Sequence, residues 1–281
     1  MIGTLHKDIQ ISNSTEVGLR YPLKQLLLNL YLINYNKLVV FNMESSCDLT
    51  IIVPVYNEEA NLQMVAEELS DFLKGAKFKT KVLFVDDGST DTSAGLIESI
   101  CHGNEWFSYI HLKKNKGLST ALKAGLDQVE TKLTGYMDAD MQTLPSDFNK
   151  LLEFAEQYDL VNGVRTRRRD GLIKRLSSSV ANAIRRAVTK DGIQDSACPL
   201  KIFRTETAKK ILFFDGMHRF LPALVLMAGG KVKEVPVNHY PRKAGKSKYH
   251  LRNRLVGPFM DLWAFRWMKR NYIHYEITKK G

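Results

Sequence analysis

Leu49-Thr50-Ile51-Ile52-Val53-Pro54-Val55, followed at once by Tyr56-Asn57-Glu58-Glu59, is an apolar run that ends abruptly in polar and acidic residues. Its β-branched residues Thr50, Ile51, Ile52, Val53 and Val55 suit a buried strand. Asn57 can then cap a helix whose apolar positions Leu62, Val65, Leu69, Phe72 and Leu73 follow helical spacing. The rhythm continues downstream. Further strands are expected at Lys81–Val85, Tyr109–Leu112, Thr134–Met137 and Leu160–Val164, and helices at Asp91–Cys101, Leu118–Val129 and Ser146–Tyr158. This alternation predicts an α/β fold, with a mainly parallel central sheet covered by helices on both faces.

Ligands on such sheets bind outside the carboxyl ends of the strands. Three charged motifs fall there: Asn57-Glu58-Glu59, Asp86-Asp87-Gly88-Ser89 and Asp138-Ala139-Asp140. Their convergence on one edge says more than any one of them. The third is followed by Gln142. In extended backbone, side chains two apart point the same way, so Asp138, Asp140 and Gln142 can present oxygen ligands together. A hard divalent cation takes such a set, with phosphate oxygens and water completing its shell. Loop solvation or a helix cap is the alternative reading of two aspartates alone.

Beyond Val164 the chain becomes basic. Residues 165–190 carry nine Lys/Arg against Asp170, and residues 242–281 carry eleven against Asp261 and Glu276. Of the net charge of +11, these segments hold more than the whole, leaving the remainder acidic. Two basic patches on an acidic body point to an anionic partner, with solvated helix faces as the alternative. Nucleic acid is disfavoured, because the acidic motifs line the ligand edge and would repel a phosphate backbone. Gly171–Thr189 is expected to be helical, Asp195–Phe203 to return to the sheet, Arg219–Met227 to form an apolar helix and Lys231–Asn238 a strand. Then come a cationic loop, Arg242-Lys243-Ala244-Gly245-Lys246-Ser247-Lys248, and an aromatic, basic stretch from Leu251 to Tyr272.

Cys47, Cys101 and Cys198 show neither paired nor metal-type spacing, which fits a reducing compartment. Leu26–Phe41 is broken by Asn29, Asn34, Asn36 and Lys37, and Leu255–Met268 contains Asp261 and Arg266. Neither reaches the roughly 20 apolar residues of a bilayer span. Residues 1–46 lack the strand–helix rhythm. Either translation starts at Met43, or the segment is an amphipathic extension; the first is preferred. Residues 47–249 are then the catalytic domain and 250–281 a basic, aromatic appendage that packs on it or meets a membrane interface.

In order along the chain stand Ile52-Val53-Pro54-Val55-Tyr56-Asn57-Glu58-Glu59, Val85-Asp86-Asp87-Gly88-Ser89-Thr90-Asp91, Asn115-Lys116-Gly117 before a helix, Asp138-Ala139-Asp140-Met141-Gln142, and Arg242 to Lys248. With these motifs the chain resembles the family 2 glycosyltransferases, and more narrowly the dolichyl- and undecaprenyl-phosphate sugar synthases, over roughly residues 49–250. The resemblance implies a GT-A type fold. It also implies inverting transfer of a sugar from a nucleoside diphosphate to a polyprenyl phosphate, assisted by Mg²⁺ or Mn²⁺. It assigns Pro54, Tyr56, Glu58, Asp86 and Asp138 to the nucleotide sugar, and Asp138, Asp140 and Gln142 to the metal. Arg165, Lys246, Ser247 and Lys248 fall to the acceptor phosphate, and Asp140 and Arg242 to catalysis. Asp87 is expected to orient the loop, with Gly88 permitting the turn. Asp195 is expected to support an arginine or the acceptor, and His218 to be structural. A peripheral location on the cytoplasmic face of an anionic membrane, with or without a membrane-protein partner, follows from the resemblance and the charge. Transfer to a soluble or saccharide acceptor is the alternative enzyme reading.

Overall fold

The computed structural model describes residues 48–166, 183–241, 256–273 and 278–279. They lie within a unit running from Cys47 to Gly281; residues 1–46, with the expected start at Met43, lie outside the described residues. The elements are β1 (Leu49–Val55), α1 (Glu59–Gly75), β2 (Thr80–Asp86), α2 (Ser93–Cys101), β3 (Phe107–His111), α3 (Leu118–Gln128) and β4 (Leu133–Tyr136). There follow α4 (Phe148–Leu152), β5 (Leu160–Arg165), β6 (Lys201–Arg204), α5 (Thr205–Lys210), α6 (Leu221–Met227), β7 (Val232–Val237) and α7 (Val256–Asn271).

The strands make one sheet, ordered β3-β2-β1-β4-β6-β5-β7. All pairs are parallel except those of β6, which runs antiparallel to both neighbours. Strands β4 and β5 therefore share a direction across β6, and the carboxyl ends of β1, β2, β4, β5 and β7 face one edge. The expected mainly parallel sheet is present, and the expected return of Asp195–Phe203 is the antiparallel strand β6.

Alternation along each strand splits the core in two. Ile51, Val53 and Phe84 pack with Leu62, Leu69, Phe72 and Phe148 on one face. Ile52, Leu83 and Val85 pack with Leu122, Leu126, Leu224 and Phe265 on the other. Each fully buried side chain of this size contributes roughly 1.5–3 kcal/mol, so the sheet is secured from both sides.

Three local expectations fail for physical reasons. Asn57 does not cap α1: the position before the helix is Glu58, and Asn57, at φ +50°, bonds instead to Thr90. The helix expected over Ser146–Tyr158 is a 3₁₀ turn (Pro145–Asp147) followed by the short α4. After Leu152 the bonds shorten to i→i−3, from Phe154 to Leu151, Ala155 to Leu152 and Gln157 to Phe154, so an α-helical ladder does not continue. Strand β4 ends at Tyr136, so Asp138–Gln142 forms a turn with Met141 at φ +59° and not an extended strand end. Of the expected helix at Gly171–Thr189, residues 183–189 are helical and the remainder lies outside the described residues.

Candidate active site

The first two acidic motifs form one hydrogen-bonded unit. The Asn57 N–H donates to Ser89 Oγ at 2.9 Å, and the Thr90 N–H to Asn57 Oδ1 at 2.7 Å. Asn tolerates this left-handed backbone because its short polar side chain bonds locally. The Glu58 N–H donates to Ser93 Oγ at 2.9 Å, and Thr92 donates its N–H and hydroxyl to Glu59 Oε2. Reciprocal bonds between the loops after β1 and β2 fix the ground on which Pro54, Tyr56 and Glu58 stand, all three half-buried. Glu58 itself accepts the Asn61 side-chain amide at 2.6 Å.

The adjacent acids Asp86 and Asp87 have different work. Asp86 is buried at the end of β2 and accepts the Ser89 N–H at 3.1 Å. Its other oxygen lies 3.1 Å from His111 Nδ1, and His111 Nε2 lies 3.3 Å from Glu98. His111 escaped the sequence reading. The usable signal was positional: it ends β3 directly opposite Asp86. Asp87 accepts the N–H groups of Lys116 at 2.8 Å and Gly117 at 2.7 Å. A carboxylate of the protein thus sits at the start of α3, beside the helix end that attracts anions. Burial raises the Asp87 pKa, opposed by those two N–H bonds and reinforced by the charge of Asp86. Gly88 makes the approach possible: at φ +66°, a Cβ there would lie 2.5 Å from the Lys114 carbonyl carbon.

The third motif stands beside the others, because β4 neighbours β1. The Tyr136 hydroxyl donates to Asp138 Oδ1 at 2.7 Å, and Asp140 Oδ1 accepts the Gln142 N–H at 3.1 Å. Asp140 is buried, and Asp138 and Gln142 are half-buried. Two carboxylates and an amide on one five-residue turn form an all-oxygen donor set that fits a hard divalent cation. Among the described residues no group of three His, Cys, Asp or Glu is placed to hold a metal; phosphate oxygens and water commonly complete the shell of such a cation.

Arg165, at the end of β5, is held by Asp195: Nε to Oδ2 at 2.8 Å and a terminal nitrogen to Oδ1 at 2.9 Å, with the Arg165 N–H also reaching Oδ2. Burial opposes its charge, but the bonds and charge of Asp195, then Cys198 and Asp138, hold its pKa above the usual arginine value. Arg165 ends β5 and the acidic turn follows β4, so both stand at the carboxyl edge of the sheet, on either side of β6. Just beyond β7, the Tyr240 N–H donates to the Gln142 carbonyl at 3.0 Å. Arg242, Lys246, Ser247 and Lys248 lie outside the described residues. His218 contacts Ser119 Oγ through Nδ1 at 2.9 Å, and burial with the charges of Arg219 and Lys201 pulls its pKa down to about 3. It is a neutral ring at physiological pH.

Helix α7 docks by one side only. Leu262 and Phe265 are buried, Phe265 stacks on Phe220 at 5.6 Å, and Asp261 pairs with Arg219 at 2.9 Å. Gly216 leaves the room, since a Cβ there would overlap the Asp261 carboxylate at 2.2 Å. Met260, Trp263 and Trp267 are exposed, the last two by 61% and 68%. Among the described residues no helix is long and apolar enough to cross a membrane.

A mostly parallel seven-stranded sheet of this order, with acids and an arginine gathered at its carboxyl edge, is a fold of GT-A type. The chain belongs to glycosyl transferase family 2, whose pattern it matches over residues 50–212, and it is a glycosyltransferase. It is 31% identical to the dodecaprenyl-phosphate galacturonate synthase of Rhizobium johnstonii, over 80% of this chain and 68% of that protein. It is 33% identical to the undecaprenyl-phosphate 4-deoxy-4-formamido-L-arabinose transferase of Yersinia enterocolitica, over 76% of this chain and 66% of that one. It thus spans about two thirds of these relatives. In fold it is similar to glucosyl-3-phosphoglycerate synthase from Mycobacterium tuberculosis, crystallised with phosphoglyceric acid (TM-score 0.61, 14% identity, 82% of each chain). A second crystal structure of that synthase, with Mn²⁺, UDP and glucosyl-3-phosphoglycerate, gives TM-score 0.60 over 82% of each chain.

Proposed function

We propose that this glycosyltransferase moves a sugar from a nucleoside diphosphate to the phosphate of a polyprenyl lipid, with inversion at the anomeric carbon. The observation that carries the reading is the bond from Tyr240 to Gln142. It ties the segment following β7 to the turn that bears Asp138 and Asp140, which supports a reading in which donor and acceptor are handled side by side. The named activities of the relatives supply the class of acceptor.

In this reading Pro54, Tyr56, Glu58 and Asp86 surround the nucleoside, and residues 47–249 are the catalytic domain. Asp138, Asp140 and Gln142 would hold a divalent cation, which when bound would neutralise the charge that develops on the departing diphosphate. Arg165, Arg242, Lys246, Ser247 and Lys248 receive the acceptor phosphate. An oxygen of that phosphate forms the new bond to the anomeric carbon as the bond to the donor diphosphate breaks. The electron pair leaves with the nucleoside diphosphate. A phosphomonoester has its second pKa near 6, so the nucleophile is already largely a dianion and no strong general base is required. The protein's task is to hold two anions close and offset their repulsion.

The acceptor phosphate lies at the headgroup level of a bilayer, so the catalytic edge must face a membrane. The outer side of α7, with Met260, Trp263, Trp267, Arg266 and Arg270, suits an anionic cytoplasmic leaflet. The test is partitioning of labelled sugar. Incubation with undecaprenyl phosphate, Mn²⁺ and a panel of UDP- and GDP-sugars is expected to move label from one donor into the organic phase. Label transferred only to water-soluble products would refute the reading.

A further inference from the structure

One buried cation takes no direct part in this chemistry. Lys201, at the start of β6, is 1% exposed. It stands opposite Tyr136 on one side and Asn162 on the other, and Asn162 stands opposite Glu234. Tyr136, Lys201, Asn162 and Glu234 therefore form one row across four strands, and directly paired residues share a sheet face. The last three all grip the same short segment. Lys201 Nζ donates to Asn162 Oδ1 and, at 3.1 Å, to the carbonyl of Ser196. Asn162 Nδ2 donates to the carbonyl of Asp195 at 3.0 Å. Glu234 accepts the N–H groups of Gln194 at 3.0 Å and Asp195 at 3.2 Å. Each backbone group of Asp195 is thus bonded to a side chain of the row, and Asp195 in turn holds the Arg165 guanidinium at two points.

A buried ammonium is costly unless it is paired and hydrogen-bonded, and an apolar side chain of similar volume would often serve stability as well. We infer that Lys201 is a positioning residue: through Asn162 and the backbone of 194–196 it fixes Asp195, and so orients Arg165 at the carboxyl edge of the sheet for binding the acceptor phosphate. Burial pulls the Lys201 pKa down to about 8, with Cys198, Asp195 and Glu234 acting in the opposite sense. The assignment of Arg165 to the acceptor rests on the proposed function; the orientation of Arg165 by the row does not.

Two arms keep these apart. The first needs no ligand. The Arg165 Nε–H resonance, identified by its loss in Arg165→Lys, should be sharp and protected from exchange in wild type, and broadened in Lys201→Met. The shape-preserving Glu234→Gln, chosen in case the first variant does not fold, should do the same. An unchanged resonance in a folded variant overturns the inference. The second arm uses farnesyl phosphate as probe, with UDP and Mn²⁺, in calorimetric titrations. Arg165→Ala and Lys201→Met should each weaken binding about tenfold or more. Because one acts through the other, the double variant should be no weaker than Arg165→Ala alone. Losses that multiply would assign Lys201 an independent role and overturn the inference. Wild-type affinity in Arg165→Ala, with a broadened resonance in Lys201→Met, would retain the orienting role and remove only its acceptor purpose.

Discussion

The main-chain N–H of Tyr240 donates to the main-chain carbonyl of Gln142 at 3.0 Å, across 98 residues of sequence. A bond between main-chain groups survives substitution of either side chain, so the junction between the acidic turn and the segment following β7 is a property of the fold. The acidic turn is further secured because Asp147 accepts the Asn238 N–H at 3.1 Å. What remains specific to the chemistry is the side chains carried on that frame.

Asp140 is the sharpest of these. Its carboxylate already closes the turn by accepting the Gln142 N–H, so Asp140→Asn keeps the acceptor oxygen and removes the charge. Transferase activity should fall about a hundredfold or more, while thermal unfolding stays close to wild type. Excess chelator should bring wild type to the same low rate. Full activity in chelator would leave the diphosphate to Lys and Arg alone.

Gly88 tests the coupling of the loops after β1 and β2 to α3. Gly88→Ala places a methyl against the Lys114 backbone in a left-handed conformation. It should cost about 1–3 kcal/mol in denaturant unfolding and weaken binding of the nucleoside diphosphate.

The neutral His218 predicts a pH dependence. In the unfolded chain it binds a proton near pH 6.5, but in the folded protein only near about 3. Between those values the unfolded state holds more protons, so this contribution is complete above about pH 6.5 and is lost as pH falls through the window. The limiting slope is about 1.4 kcal/mol per pH unit. Denaturant unfolding at pH 7.5 and 5.0 should show a larger acid loss for wild type than for His218→Gln. Equal losses would show that the ring accepts a proton in the folded state.

The two sides of α7 should separate by substitution. Phe265→Ala empties a buried, stacked position and should cost about 3–5 kcal/mol. Trp263→Ser with Trp267→Ser should leave stability within about 0.5 kcal/mol but reduce flotation with anionic vesicles. Equal flotation of this variant and wild type would remove α7 from membrane contact.

The alternation of strands and helices was legible because Leu49–Val55 and its successors are near-continuous apolar runs, and because Leu62, Val65 and Leu69 repeat at helical spacing. The division of labour between Asp86 and Asp87 was legible in part, since Gly88 announces a tight turn. What escaped depends on register between distant strands. His111 meets Asp86 only when β3 is laid beside β2, and Lys201 meets Asn162 only when β6 enters antiparallel beside β5. Residues 39 positions apart leave no local period to read. Asn57 misled because its side chain satisfies a neighbouring loop as readily as a helix end. The Asp138–Gln142 turn misled because β4 stops at Tyr136 and the chain reverses sooner than its apolar run suggests.

The most direct test of the whole account is a paired acceptor assay. Purified protein, Mn²⁺ and the productive nucleotide sugar are supplied with undecaprenyl phosphate or with undecaprenol, which differs only in lacking the phosphate. Nucleoside diphosphate and lipid-extractable sugar are quantified together. The account predicts equimolar appearance of both with the phosphate, and neither above background with the alcohol. Equal turnover of the two lipids, or turnover confined to a soluble saccharide acceptor, would contradict it.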